Sequence, residues 1–267
     1  MIASSKIIHV NSDNRISGTS ESFMFSFNKQ AYTQYTHVCL LQCSIPSSYY
    51  LIQDNYNTFD LEENASTVTI TLEPGNYTNK SFLFRVKELL NANSPNGYTY
   101  DITLNNESKQ ANDGKFYYSV TGNGGIQPKI IVRDYLNEQF GFDVNTTNTF
   151  VGDALTSTNV INFIPEQTLY LYSDMVSTGS GNNQNILQEI YAANFIPYSC
   201  VTFQCPDVMA YSKELKKNDF TQFSISLTNE RGQIMNLNGR NMLLTVLMYN
   251  KDQVFDLAKR YIKYSLE

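Results

Sequence analysis

Few residues in this chain are of types that do chemistry, and they are scattered. There are two histidines, His9 and His37. A histidine acting as general base must lie within hydrogen-bond reach of the group it deprotonates. His9 falls in an N-terminal arm and His37 opens an apolar run, and neither has a local partner motif. The carboxylates Glu62 and Glu63 sit at the edge of a predicted loop and read as solvated. Asp13, Asp54, Asp113, Asp153 and Asp207 are dispersed among turn residues, where aspartate accepts from backbone N–H groups. A calcium loop needs alternating oxygen ligands at close spacing, and no stretch supplies them. Gly122, Gly124 and Gly125 resemble a phosphate-binding loop only superficially, because strand patterns flank them and no helix follows to hold an anion. The residues therefore name no catalytic, cofactor-binding or metal-binding position, and the expectation is a protein that is not an enzyme.

The four cysteines fit the same picture. Cys39 and Cys43 share one face of a predicted strand with Leu41 and Ile45, and Cys200 and Cys205 flank Val201 and Phe203 in another. Their spacings lack the nearby histidine motif of a zinc site. They read as buried free thiols, which behave as small hydrophobes.

The elements that would position any site are mostly strands. Phe23, Phe25 and Phe27 alternate with polar residues, as do Phe223, Ile225 and Leu227, a period of two. Tyr35–Ile45, Tyr49–Leu61, Val160–Phe163, Leu169–Tyr172 and Tyr198–Cys205 read as further extended segments. Met242–Tyr249 is apolar almost throughout, the pattern of a strand covered on both faces. With the strand before Asn229–Gly232 it suggests the closing hairpin of a sandwich. Ile186, Leu187, Ile190 and Tyr191 predict a short helix. Residues 66–145 differ in character: a strand at Val68–Leu72, a helix with Phe82, Val86, Leu89 and Leu90 on one face and Thr78 or Asn79 as cap, then strands at Tyr98–Leu104, Phe116–Val120 and Ile130–Val132.

About eight strands outside residues 66–145 is the number of a jelly roll. The expected architecture is a mostly β, antiparallel jelly-roll sandwich interrupted by a small α+β insertion. Its parts are an arm at 1–20, a discontinuous sandwich at 21–65 and 146–250, the insertion at 66–145 and a C-terminal helix at 251–267.

Composition narrows the function classes. The net charge is −6, with no basic run, which argues against nucleic-acid binding. Charged residues make up 16%, against about 25% in an ordinary domain. Together with 19 tyrosines and 16 phenylalanines this suits a surface packed against other proteins. The tyrosines could instead stack on sugars, but they more simply fill strand and interface positions because they are amphipathic. No segment reaches the roughly 18 apolar residues of a membrane span. The opening MIASSKIIHVNSDNR lacks the apolar core of a signal peptide, which predicts a protein that is made in a reducing compartment and not secreted.

The opening VNSDNRISGTSESFMFSF resembles the start of the minor capsid and penton proteins of virophages, Polinton-like viruses and related large double-stranded DNA viruses. CSIPSSYYLI, NTFDL, TITLEPGNYTNKSFLFRVKELLN, FGF, LYLYSDM and ISLTNERGQIMNLNGRNMLLTVLMY resemble further landmarks of that family in the same order, over nearly the whole chain. One departure is Asn229, which stands where an aspartate is expected. The resemblance implies a jelly-roll capsid protein without catalytic residues or cofactors. It implies a penton, a homopentamer closing fivefold vertices beside a double-jelly-roll major capsid protein, in virions assembled in the host cytoplasm or a virus factory. Another minor capsid or cement protein of the same shell, and a carbohydrate- or receptor-binding jelly-roll module, stay open. The candidate assembly contacts are Ile7, Ile8 and Val10, which could add a strand to a neighbour's sheet edge, and the stripe Val254, Leu257, Tyr261 and Ile262.

Overall fold

The computed structural model describes residues 5–28, 35–106, 111–133, 135–164, 166–177, 185–192, 199–217 and 220–252. The chain divides into two compact units, one from Met1–Tyr49 with Glu166–Glu267 and one from Tyr50–Pro165.

The discontinuous unit begins with β1 (Ser5–Asn11), a 3-10 turn at Ser12–Asn14, and strands β2 (Ser17–Gly18), β3 (Ser22–Ser26) and β4 (His37–Pro46). The inserted unit holds β5 (Thr58–Glu63), β6 (Ser66–Thr71), α1 (Asn79–Asn93), β7 (Thr99–Asn106), β8 (Ala111–Thr121), β9 (Lys129–Val132), α2 (Asn137–Phe140), β10 (Thr147–Thr149) and β11 (Ala154–Thr156). The chain then returns to the first unit with β12 (Thr168–Tyr172), β13 (Ile186–Tyr191), β14 (Cys200–Gln204), α3 (Val208–Tyr211), β15 (Lys213–Glu214), β16 (Gln222–Thr228) and β17 (Leu243–Tyr249).

The strand order of the discontinuous unit is that of a jelly roll. One sheet runs β1-β17-β4-β14 and the other β13-β12-β16-β3, with β15 and β2 as short additions. Setting those two aside, the eight strands in chain order form one sheet in the order first, eighth, third, sixth. The second sheet follows the order second, seventh, fourth, fifth. This is a double-sheet arrangement with all neighbours antiparallel. Alternation of apolar residues turns one face of each sheet inward. Ile8, Val10, Val38, Leu40, Leu244, Val246 and Met248 from one sheet meet Phe23, Phe25, Leu169, Leu171, Phe223, Ile225 and Leu227 from the other in one core. Phe223 lies opposite Phe25, with ring centroids 5.7 Å apart.

The inserted unit has its own core. Sheets β10-β9-β5-β6 and β11-β8-β7 and helix α1 contribute to a single apolar cluster. Phe82 of α1 is central, 5.1 Å from the rings of both Phe140 and Phe163. Thr78 caps α1 in a capping box with Ser81, satisfying backbone N–H groups that the helix leaves open.

Several expectations need correcting. The inserted unit is wider than 66–145, because β5 pairs with both β6 and β9, and Ile161 and Phe163 pack on its core. The N-terminal arm is not free, since β1 pairs along its length with β17 of its own sheet. The predicted helix at Ile186–Tyr191 is strand β13. A bulge opposite Leu171/Tyr172 adds one residue to β13, so its apolar positions lose the period of two and imitate a helical face. The expected closing hairpin is not one, because β16 and β17 lie in opposite sheets. The link between them carries buried Met235, Leu237 and Met242 across the end of the core. Strand β17 is covered fully on one face only, since Leu243 is 51% exposed. The C-terminal helix lies outside the described residues beyond Asp252.

Candidate functional site

The outer face of the β1-β17-β4-β14 sheet carries Ile7, one of the candidate assembly contacts. Residues directly opposite one another on antiparallel strands share a face. Ile7 lies opposite Leu247, and Leu247 opposite Cys39, forming a row of apolar side chains across three strands. Next along β1, His9 lies opposite Thr245, with Nδ1 3.3 Å from Thr245 Oγ1. Asn11 lies opposite Leu243. Ile7 and Leu243 are each about half exposed. At the other end of the face, Tyr249 stacks obliquely on His37 and donates a 2.8 Å hydrogen bond to Ser212 Oγ. Burial, followed by the charge of Lys251, pushes the His37 imidazole below its ordinary pKa.

Three of the predicted assembly contacts fall in the described residues, and they are not equivalent. Ile8 and Val10 face the sandwich core and are nearly inaccessible. Ile7 points outward and remains available. The difference follows from the period of two: once β1 joins its own sheet, alternate residues must face inward. Val254, Leu257, Tyr261 and Ile262 lie outside the described residues. Among the described residues β1 pairs only with β17, which leaves it as an edge strand.

The cysteines are arranged differently from the expectation of a shared face. A bulge between the Thr245/Gln42 and Val246/Leu40 pairs makes Leu41 an extra residue. Cys43 consequently joins the sandwich core, whereas Cys39 lies in the outward row, and its Sγ is 3.5 Å from that of Cys205. Burial pushes the thiols of both Cys39 and Cys43 up to about 12.

No protein-family model matches the chain, and no curated protein matches it. Among solved structures it is similar to the mavirus penton protein, a distant likeness with 10% identity and a TM-score of 0.43 over 92% of this chain and 99% of that one.

Two polar sites were not legible in the sequence. Glu63, expected to be solvated, is fully buried. It accepts hydrogen bonds from Ser94 Oγ at 2.7 Å, the Asn96 backbone N–H at 2.8 Å and the Tyr100 hydroxyl at 2.7 Å. These partners lie beyond α1, so no local pattern marks them. Glu62 does reach the surface and pairs with Lys129 at 2.7 Å. The second site is Asn229, which is almost fully buried. Its Oδ1 accepts from the backbone N–H groups of Arg231 and Gln233, and its Nδ2 donates to Glu166 Oε1 at 2.9 Å. An aspartate could accept those N–H groups but would set a second carboxylate against Glu166, which accounts for asparagine at this turn.

Two further polar turns are held by internal hydrogen bonds. Asn123 in the glycine-rich turn donates to Ile126 O and to Asp153 Oδ1, at 2.8 and 2.7 Å. That places a carboxylate, rather than an anion pocket, beside the three glycines. Asp207 accepts from the backbone N–H groups of Met209 and Ala210 and caps α3. Among the described residues no group of three or more His, Cys, Asp or Glu side chains could hold a metal ion. No described helix is long and apolar enough to cross a membrane.

Proposed function

We propose that this chain is a structural capsid protein, the penton that closes the fivefold vertices of an icosahedral double-stranded DNA virus. The observation that carries the reading is the ordered series of landmark segments resembling penton and minor capsid proteins. They are spread over both units, and those of the discontinuous unit run along a jelly roll, an architecture used by viral capsid domains. TITLEPGNYTNKSFLFRVKELLN covers the end of β6, the following turn and most of α1; LYLYSDM covers most of β12 and its exit; ISLTNERGQIMNLNGRNMLLTVLMY runs from within β16 to the end of β17. In this reading the partners are further copies of the chain, arranged as a homopentamer, and a double-jelly-roll major capsid protein around the vertex.

Density at the fivefold axis of a reconstructed particle containing this chain tests the proposal. Density at threefold or general positions, with a different protein on the fivefold axis, would transfer the chain to the minor-capsid or cement role. A carbohydrate-binding jelly roll is a second reading. The Tyr170 and Tyr172 rings, 6.5 Å apart on the outward face of β12, favour it. Specific binding on a glycan array, lost in Tyr170→Ala, would promote it.

A further inference from the structure

Cys39 and Cys205 are separated by 166 positions in sequence and are brought together by the sheet, with their sulfurs 3.5 Å apart. The contact follows from the strand pairing. Strand β14 pairs with β4 up to Gln204/Gln42, and the Cys205 backbone N–H then donates to Leu41 O at 2.8 Å. The Leu41 bulge turns Cys39 outward, toward the chain that leaves β14. Cys39 is fully buried and Cys205 is half-buried, so a soluble reagent reaches the pair from one side. The other two thiols are placed elsewhere: Cys43 faces the sandwich core, and Cys200 begins β14 opposite Pro46.

We propose that Cys39 and Cys205 are a disulfide-forming pair that closes when the folded protein meets an oxidising thiol–disulfide pool, fastening β4 to the chain that follows β14. A disulfide bond is about 2.05 Å long, so the sulfurs must approach by roughly 1.5 Å. Glutathione disulfide serves as the oxidant. The Cys205 thiolate attacks one of its sulfurs, a mixed disulfide forms and one glutathione thiolate leaves. Cys39 gives up its proton and attacks Cys205 Sγ. The Cys39–Cys205 bond forms, and the second glutathione leaves and takes up a proton. Two thiols become one disulfide, and glutathione disulfide becomes two molecules of glutathione. Burial raises the Cys39 thiol and shields it from soluble oxidant, so Cys205 is the group that reacts first.

The position of the bond gives it a consequence. The jelly-roll unit is made of two chain segments separated by the whole Tyr50–Pro165 unit. Cys39 belongs to the first segment and Cys205 to the second. The link therefore closes a long loop in the unfolded chain, and stabilisation of this kind grows with loop length. A thiol form during synthesis and a disulfide form after release would give a jelly roll that becomes harder to open once it leaves a reducing compartment.

The experiment treats the reduced, folded full-length protein with glutathione disulfide in mildly alkaline buffer, quenches it with N-ethylmaleimide and maps chymotryptic peptides without reduction. Cleavage after Leu40 or Leu41 separates Cys39 from Cys43, and cleavage after Phe203 separates Cys200 from Cys205. The expected result is a peptide pair linked through Cys39 and Cys205, together with a higher melting temperature that dithiothreitol reverses. In Cys39→Ser, the Cys205 adduct with glutathione should persist, because nothing resolves it. Wild-type protein that stops at glutathionylated Cys205 with Cys39 free, or that forms the link only in denaturant, would overturn the proposal.

Discussion

In the core of the inserted unit the Tyr100 hydroxyl donates a 2.7 Å hydrogen bond to Glu63 Oε1, tying β7 to the end of β5. Glu63 also holds Ser94 and Asn96, the residues that follow α1. One side chain thus fastens the helix exit to the β5–β6 hairpin. Replacing Glu63 with Ala strands three donors, and with buried groups left unsatisfied the cost should be about 2–4 kcal/mol. Glu63→Gln keeps the shape but turns an NH₂ group toward donors, and it should recover only part of the loss. Urea unfolding of both variants checks this; equal stability to wild type would mean that water replaces the carboxylate.

The contact pattern also predicts where the chain can be cut. Replacing Tyr50–Pro165 with a short Gly/Ser linker should leave a cooperatively folding jelly roll, because each unit has its own apolar cluster. Removing only 66–145 should give aggregated protein. That deletion leaves β5 without β6 and β9, and exposes Phe59 and Leu61, both fully buried in the intact unit. Thermal melts of the two deletions, run side by side, separate these outcomes. If the shorter deletion melts cooperatively and the longer does not, the unit boundary is misplaced.

Much of this organisation can be read from residue patterns, and the failures arise where a bulge or a long-range contact intervenes. Phe23/Phe25 and Phe223/Ile225/Leu227 announced β3 and β16 because regular strands keep a strict period of two. Thr78 and the Phe82/Val86/Leu90 stripe announced α1 for the corresponding helical reason. Bulges hide two features. One extra residue at Leu41 divided Cys39 from Cys43, and one in β13 disguised a strand as a helix. Glu63 looks solvated in the sequence because its partners are supplied by tertiary folding. The link from β16 to β17 looked like a hairpin because its reversal at Asn229–Gly232 is local, while the crossing between sheets is not.

Alkaline pH should weaken the protein. Burial raises the Cys43 thiol to about 12 and pushes the Tyr100 and Tyr118 hydroxyls up as well. Thiols in the unfolded chain ionise near ~8.5 and tyrosines near ~10. Above those values the unfolded state binds fewer protons than the folded state, so stability falls as pH rises. Below about pH 8 the full contribution is present. The urea midpoint should be level from about pH 7 to 8 and decline between about pH 9 and 11. The decline should be shallower in Cys43→Ala. A midpoint independent of pH over that range would show that these groups ionise freely in the folded protein.

The functional proposal makes its sharpest demand on β1. A vertex protein meets its neighbours through heterologous contacts, one surface against a different one, with a rotation that closes a ring. Stable contact of this kind needs roughly 800 Å² per partner. The edge strand β1 offers backbone groups for strand addition, and its Ile7 adds an exposed apolar side chain beside Leu247. Ile7→Glu should therefore leave the melting temperature of the isolated chain almost unchanged, since exposed substitutions usually cost within about 0.5 kcal/mol. The same change should reduce pentamer formation in concentrated solution and incorporation into particles. Ile8→Ala is the contrasting variant, because Ile8 faces the core and its truncation should cost about 2–4 kcal/mol of folding stability. Native mass spectrometry and thermal melts on the two proteins read association and folding separately. Loss of pentamer in Ile7→Glu without loss of stability places β1 in the ring. Pentamers that persist in Ile7→Glu place the contact elsewhere, and a wild-type chain that stays monomeric at every concentration and is missing from fivefold density removes the penton assignment itself.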